Sequence, residues 1–267
     1  MDREQNSLFL FGVNPVLEKI KGSPREVFEV MIVRGHKRPG LRSIDREAKS
    51  RGLPVRYLES EVLGRLVNSH KHQGVVAKVG SYAYRPFADL LRELHSIPGK
   101  NWVLFLDSLT DPRNFGAILR SAEGVGIRHV VVPKDRSVGV TSTVAKTSAG
   151  AVHYLNIYRV SNLRSALQAL KEIEYWVVGL DAEAEQSIFG MVYPDKLAVV
   201  LGAEGGGIRR IILKECDFLA SVPMRGRIAS LNAAVAGAVF FYELVRQGEE
   251  ARPDKSGLML KNRTKSK

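Results

Sequence analysis

Residues 102–132 read WVLFLDSLTDPRNFGAILRSAEGVGIRHVVV. Trp102–Leu106 is apolar at every position, the mark of a strand buried on both faces. It runs into a polar turn, Asp107-Ser108-Leu109-Thr110-Asp111-Pro112-Arg113-Asn114-Phe115-Gly116, after which the pattern predicts a helix from Ala117 to about Glu123. Gly124-Val125-Gly126 stops that helix, and His129–Val132 is the next strand. Strand, turn, helix and strand make a βαβ unit, so the fold class is α/β with parallel strands. Ligands of such units gather at the carboxyl ends of the strands. The turn at 107–116 is therefore the first place to look for chemistry.

Working toward the C-terminus, Ser142–Gly150 (STVAKTSAG) is rich in small residues, Leu163–Ile173 reads as a helix and Tyr175–Leu180 as a strand. Leu197–Leu201 is a second strand of the buried type. It leads into Gly202-Ala203-Glu204-Gly205-Gly206-Gly207-Ile208, where one carboxylate stands among residues with almost no side chains. Glycines allow a ligand to touch backbone. No Lys-Ser or Lys-Thr follows, so this is not a phosphate cradle, and the glycine spacing of a dinucleotide turn is missing. The last ordered stretch, Ser221–Gln247, reads as a loop running into a helix, with Ser230 where an N-cap would stand. From Leu231 it is apolar on nearly every side, and Ala233, Ala234, Ala236, Gly237 and Ala238 are too small to fill a core. We expect a buried helix packed against the sheet and against a second subunit.

Toward the N-terminus, residues 8–79 alternate short apolar runs with helical patterns, a small α/β unit of its own. Its loop Arg34-Gly35-His36-Lys37-Arg38 is either a phosphate contact or a solvated charged turn. His70-Lys71-His72-Gln73-Gly74 has histidines two apart with no carboxylate or cysteine beside them, which argues against a metal and leaves an RNA-facing edge or a plain turn. The expected organisation is a first domain over 1–80, a proline-marked connection over 81–100 carrying a short helix at Phe87–His95, a second domain over 101–248, and a basic, disordered tail over 249–267.

The chain has 267 residues and a formal net charge of +12, an excess suited to a polyanionic partner. No apolar run is long enough to span a bilayer. The opening Met1-Asp2-Arg3-Glu4 is polar and mixed in charge, unlike a secretory leader. A single cysteine, Cys216, excludes an internal disulfide and a cysteine-cluster metal site. The expected compartment is the cytoplasm.

Three segments together resemble the motifs of the SpoU (TrmH-type) RNA ribose 2′-O-methyltransferases, in the family's order. They are Asp111-Pro112-Arg113-Asn114-Phe115-Gly116-Ala117 with Arg120-Ser121-Ala122, Leu201-Gly202-Ala203-Glu204-Gly205 with Gly207, and Val222-Pro223-Met224 with Gly226 and Ser230-Leu231-Asn232. Lys146–Ala151 also looks like a family segment. The first unit, ending in His72-Gln73-Gly74, is similar to the L30-like substrate-binding domain of the 23S rRNA guanosine branch.

The resemblance implies a SPOUT-type α/β catalytic domain with a C-terminal trefoil knot, S-adenosylmethionine as cofactor, no metal, RNA as partner and a homodimer through the final helix. Carried over by motif, Gly202, Val222 and Leu231 contact the cofactor, with Ala203 and Met224 beside it. It further implies that Asn114, Arg120, Glu204, Ser230 and Asn232 form the catalytic set. In that scheme Arg120 stands at the ribose hydroxyl; Asn114 fixes Arg120 or the ribose; Glu204 holds Arg120 or a backbone amide; Ser230 and Asn232 orient substrate. The structural alternatives are Asn114 as a helix cap, Arg120 in a helix-face ion pair and Glu204 as a loop brace. Arg34, His36, Lys37, Arg38, His72 and Arg113 are the candidate RNA contacts. The rival functions are a tRNA-directed ribose methylase and a non-catalytic L30-like assembly factor.

Overall fold

The computed structural model describes residues 7–80, 82–97, 99–228 and 230–250. The N-terminal unit runs β1 (Ser7–Phe11), α1 (Val13–Gly22), β2 (Val27–Val33), α2 (Pro39–Ser50), β3 (Val55–Leu58), α3 (Ser60–Val67) and β4 (Val75–Gly80). Its sheet has the order β1-β4-β2-β3, with β4 antiparallel to both neighbours and β3 a parallel edge strand. Alternation along the strands sorts the core onto two faces. Val30 and Ile32 pack with Val16 and Ile20 of α1 and Leu41, Ile44 and Ala48 of α2, while Met31 packs with Leu63 of α3.

The second unit continues with α4 (Phe87–Ser96), β5 (Asn101–Leu106), α5 (Pro112–Gly124), β6 (His129–Pro133), α6 (Ser142–Thr147), β7 (Asn156–Val160), α7 (Leu163–Lys171), β8 (Trp176–Leu180), β9 (Lys196–Leu201), α8 (Arg210–Leu213), β10 (Phe218–Ala220) and α9 (Ala233–Glu250). Its sheet is wholly parallel, in the order β10-β8-β9-β5-β6-β7. Period-2 alternation again divides the strands. Leu104, Leu106 and Val199 face α5, α6 and α9; Val103, Phe105 and Ala198 face α4, α7 and α8. The result is three layers with the sheet in the middle. The connecting helix α4 is part of this stack, with Leu90 and Leu94 buried in its core.

The two units meet along α6 and the turn after it. Tyr82 donates its hydroxyl to the Leu155 carbonyl at 3.0 Å. Lys146 donates to the Lys71 carbonyl at 3.1 Å and lies 4.6 Å above the Phe11 ring.

Several expectations are corrected. Helix α5 starts at Pro112, not Ala117, because Asp111 caps it by accepting from the Arg113 amide at 2.9 Å and Pro112 fills the first helical position. Asn114 is thus inside the helix and is not its cap. Helix α9 starts at Ala233 and is capped by Asn232, whose Oδ1 accepts from the amides of Ala234 at 2.9 Å and Val235 at 3.4 Å, so Ser230 is not the cap. That helix runs on to Glu250, into the stretch expected to be tail; the expected disorder of 251–267 concerns residues outside those described. Nor is α9 buried all round. Val235 and Tyr242, seven residues apart, are 49% and 61% exposed.

Candidate functional site

The carboxyl ends of β5, β9, β8 and β10 lie along one edge of the parallel sheet, and the segments that leave them converge. After β5, Asp107 is completely buried and accepts from the Arg209 amide at 2.9 Å and from its guanidinium at 2.7 Å and 2.8 Å. That ion pair ties the end of β5 to the far side of the 202–207 loop. The loop closes on itself through paired backbone bonds between Ala203 and Gly207 at 2.9 Å and 3.1 Å. A Cβ at Gly202 would fall on the backbone of Gly207 and Ile208, so only glycine permits this closure.

Glu204 is the meeting point. One of its oxygens, Oε2, accepts from Asn114 Nδ2 at 2.7 Å and from Asn232 Nδ2 at 3.2 Å, and Asn232 Nδ2 also faces Asn114 Oδ1 at 2.9 Å. Residues 90 and 118 positions away from Asn114 are thereby joined to it in one triangle. Asn232 does two things at once, since its other amide atom caps α9. The triangle fixes the N-termini of α5 and α9 against each other.

Beside the triangle opens a cavity of about 630 Å³, lined by Leu180, Asp181, Glu183, residues 201–208, Ala220, Val222, Met224, Ser230, Leu231, Asn232, Ala233 and Ala236 among others. The volume suits a drug-sized ligand. Its walls are backbone and small or aliphatic side chains with three carboxylates, Asp181, Glu183 and Glu204, and no lysine or arginine among the described lining residues. In a chain of net charge +12 this selects a cationic ligand over a phosphorylated one. Cys216 offers no nucleophile here: burial pushes its thiol up to about 12.

All five residues expected at the cofactor, Gly202, Ala203, Val222, Met224 and Leu231, line the cavity, as do Glu204, Ser230 and Asn232 of the expected catalytic set. Asn114 reaches it through Glu204. Arg120 does not line it; the side chain is exposed and, among the described residues, makes no hydrogen bond or ion pair. Neither Asn114 nor Glu204 holds Arg120, so of the two partners expected for each the arginine is not the one met within the chain. Of the expected RNA contacts, Arg34, Lys37, Arg38 and Arg113 are exposed and His36 is half-buried. His72 is buried, with Nδ1 accepting from the Gly74 amide at 3.1 Å, so it builds the turn and cannot meet RNA. Asp181 and Glu183 were missed in the sequence. Their signal was available, an acid directly after the strand ending at Leu180, as Asp107 directly follows Leu106.

The pattern of the SpoU rRNA Methylase family matches residues 101–242, more than half of the chain. The chain belongs to the SpoU rRNA methylase family. The RNA 2′-O ribose methyltransferase substrate binding pattern matches residues 9–85 of this SpoU protein. Membership makes it an RNA ribose 2′-O-methyltransferase that uses S-adenosylmethionine. Among its relatives, the 23S rRNA (guanosine-2′-O-)-methyltransferase RlmB of Xylella fastidiosa is 38% identical over 90% of this chain and 96% of its own. YacO of Bacillus subtilis, named a TrmH family tRNA/rRNA methyltransferase, is 38% identical over 90% and 95%. The crystal structure of the SpoU methyltransferase AviRb from Streptomyces viridochromogenes in complex with AdoMet shares the fold, with a TM-score of 0.75, 22% identity and 92% of both chains covered.

Proposed function

We propose that this enzyme methylates the ribose 2′-OH of a guanosine in 23S rRNA, as the RlmB relatives are named for doing. The observation that carries the proposal is the Asn114–Glu204–Asn232 triangle at the edge of a cation-free cavity. S-adenosylmethionine fits that cavity by charge, because its sulfonium and ammonium are cations and the lining acids are unopposed. Gly202, Ala203, Val222, Met224 and Leu231 would hold it, largely through backbone. Bound there, it supplies an electrophilic methyl and a neutral thioether leaving group.

The protein's own part is to place the 2′-oxygen and steady its charge as the proton departs. A guanidinium is a poor base, so Arg120 acts electrostatically, on the developing alkoxide or on the neighbouring phosphate. Asn114, Glu204 and Asn232 form the rigid floor against which the ribose is set, and Ser230 offers a hydroxyl at its rim. The active unit in this proposal is a homodimer. The exposed apolar stripe of α9, Val235 to Tyr242, is the face to be covered. A second copy there brings the unpaired Arg120, carried on the helix that packs against α9, to a complete site. The segment between β10 and α9 threads as a trefoil knot, a proposal supported by its passage from the sheet edge back to α5. Residues 1–80 act as an L30-like RNA-binding domain joined through 81–100 to the catalytic domain over 101–248, with Arg34, His36, Lys37, Arg38 and Arg113 toward RNA. Work on rRNA places the enzyme in the cytoplasm.

Mapping of ribose methylation in total RNA, with and without the gene, tests this. One guanosine of 23S rRNA is expected to lose its methyl group; an unchanged 23S map overturns the proposal.

A further inference from the structure

The N-terminal unit carries an uncompensated charge pattern outside the catalytic site. Helix α2 buries Leu41, Ile44 and Ala48, which turns Arg42 and Arg46 outward, in line with Arg38 at the helix entrance. These arginines recur every fourth residue, so each lies about 6 Å along the axis from the next. That spacing is comparable to the separation of successive phosphates in a nucleic acid strand. Among the described residues, the side chains of Lys37, Arg38, Arg42 and Arg46 make no hydrogen bond or ion pair. The acids of the same helix are committed elsewhere. Asp45 accepts from Tyr57 at 2.7 Å and from Lys49 at 3.0 Å, and Glu47 accepts from Arg51 at 2.7 Å.

An aromatic pair stands beside the ridge. His36, in the loop before α2, and Tyr57, on the edge strand β3, have ring centroids 6.4 Å apart and planes inclined by 23°. Tyr57 is 37% exposed, and its hydroxyl is held by both Asp45 and Lys49, which fixes the ring. Rings of this kind serve unstacked bases, whereas the bases of a duplex are already stacked on each other.

We propose that the outer ridge of α2, Arg38, Arg42 and Arg46 with Lys37, together with the His36–Tyr57 ring pair, is a track for a single-stranded segment of the substrate RNA, cations on phosphates and a ring against a base. This deepens the proposed function and rests on RNA being the substrate.

The test uses the full chain, with in vitro transcribed 23S rRNA, polyuridine and a duplex RNA as probes, read by fluorescence anisotropy over a range of salt. The triple variant Arg38→Gln/Arg42→Gln/Arg46→Gln should bind polyuridine with a log–log salt slope smaller by about 2, three single-strand phosphate contacts at about 0.7 each. Its calorimetric affinity for S-adenosylmethionine should stay at the wild-type value, which also certifies its fold. Tyr57→Leu should lose about 5-fold or more in polyuridine affinity, while Tyr57→Phe, which keeps the ring, should retain it. An unchanged slope in the triple variant overturns the ridge. Equal losses for the leucine and phenylalanine variants overturn the ring platform. A duplex bound as tightly as polyuridine through the same arginines overturns the single-stranded assignment, and ridge-dependent binding to anionic phospholipid vesicles without RNA binding overturns RNA as the partner. Failure of the wild-type chain to bind any of the RNAs strikes the proposed function itself and is thereby distinguishable.

Discussion

Among the described residues, three carboxylates and no lysine or arginine line the cavity, whereas on α2 and the turn before it the side chains of four cations, Lys37, Arg38, Arg42 and Arg46, lack a partner and both acids of the helix are paired off. One chain of net charge +12 therefore keeps two separate electrostatic environments. The small cationic donor and the polyanionic substrate need opposite fields, and a single mixed surface would bind each of them worse. Construction differs too. The cavity is made from backbone and short loops locked by Gly202, Asp107 and Glu204, while the α2 face is long side chains on a regular helix. Changes at the cavity should thus act abruptly and changes on α2 in small steps.

The largest expected effect is at Gly202. Gly202→Val forces a side chain into the backbone of Gly207 and Ile208, so calorimetric binding of S-adenosylmethionine should vanish while RNA binding through the N-terminal unit persists; loss of both would show that the two environments are not independent. Next comes Arg120→Ala. It should bind the cofactor normally and lose at least ~100-fold in single-turnover methylation, the low end for removal of an electrostatic catalytic group. A near-normal rate would retire Arg120.

Glu204→Ala should cost less. It leaves the two amide groups of Asn114 and Asn232 short of an acceptor, worth about 1.5–3 kcal/mol for bonds to a charged group, and the single-turnover rate should fall by about 10-fold or more. An unaffected rate would reduce the triangle to a loop brace.

The smallest expected effect on activity lies at the seam between the two units. Burial lowers His153 to about 3, so it stays neutral in the fold while the unfolded chain takes up its proton below the ordinary histidine value of about 6.5. The unfolded state therefore binds more protons between those two values. Stability should fall as the pH drops through that window, by at most ~1.4 kcal/mol per pH unit from this residue, with no contribution above it. Urea unfolding near pH 5 and near pH 7.5 should show the difference, and His153→Gln should reduce it without altering methylation at neutral pH, the remainder including His72 and His129, which burial also holds below the usual histidine range.

Much of this was legible in the residues. Trp102–Leu106 and Leu197–Leu201 announce buried parallel strands because every position is apolar, and both form neighbouring strands of the central sheet. Helix starts were harder. Asp111-Pro112 is a start signal, but the polar first turn of α5 hides the apolar period until Ala117, so Asn114 was assigned to a turn. His72 misled because a histidine between lysine and glutamine looks solvent-facing, whereas its ring is folded back onto the Gly74 amide.

Composition and local pattern were enough to establish an α/β chain with two sheets' worth of strands, a polyanion-seeking charge and three chemically odd loops, since these depend on residues near one another along the chain. Which oxygen meets which amide did not follow from them. Glu204 joins Asn114 and Asn232 only because β5 and β9 pair side by side and α5 packs on α9, contacts between residues 90 and 118 positions apart that no local period encodes.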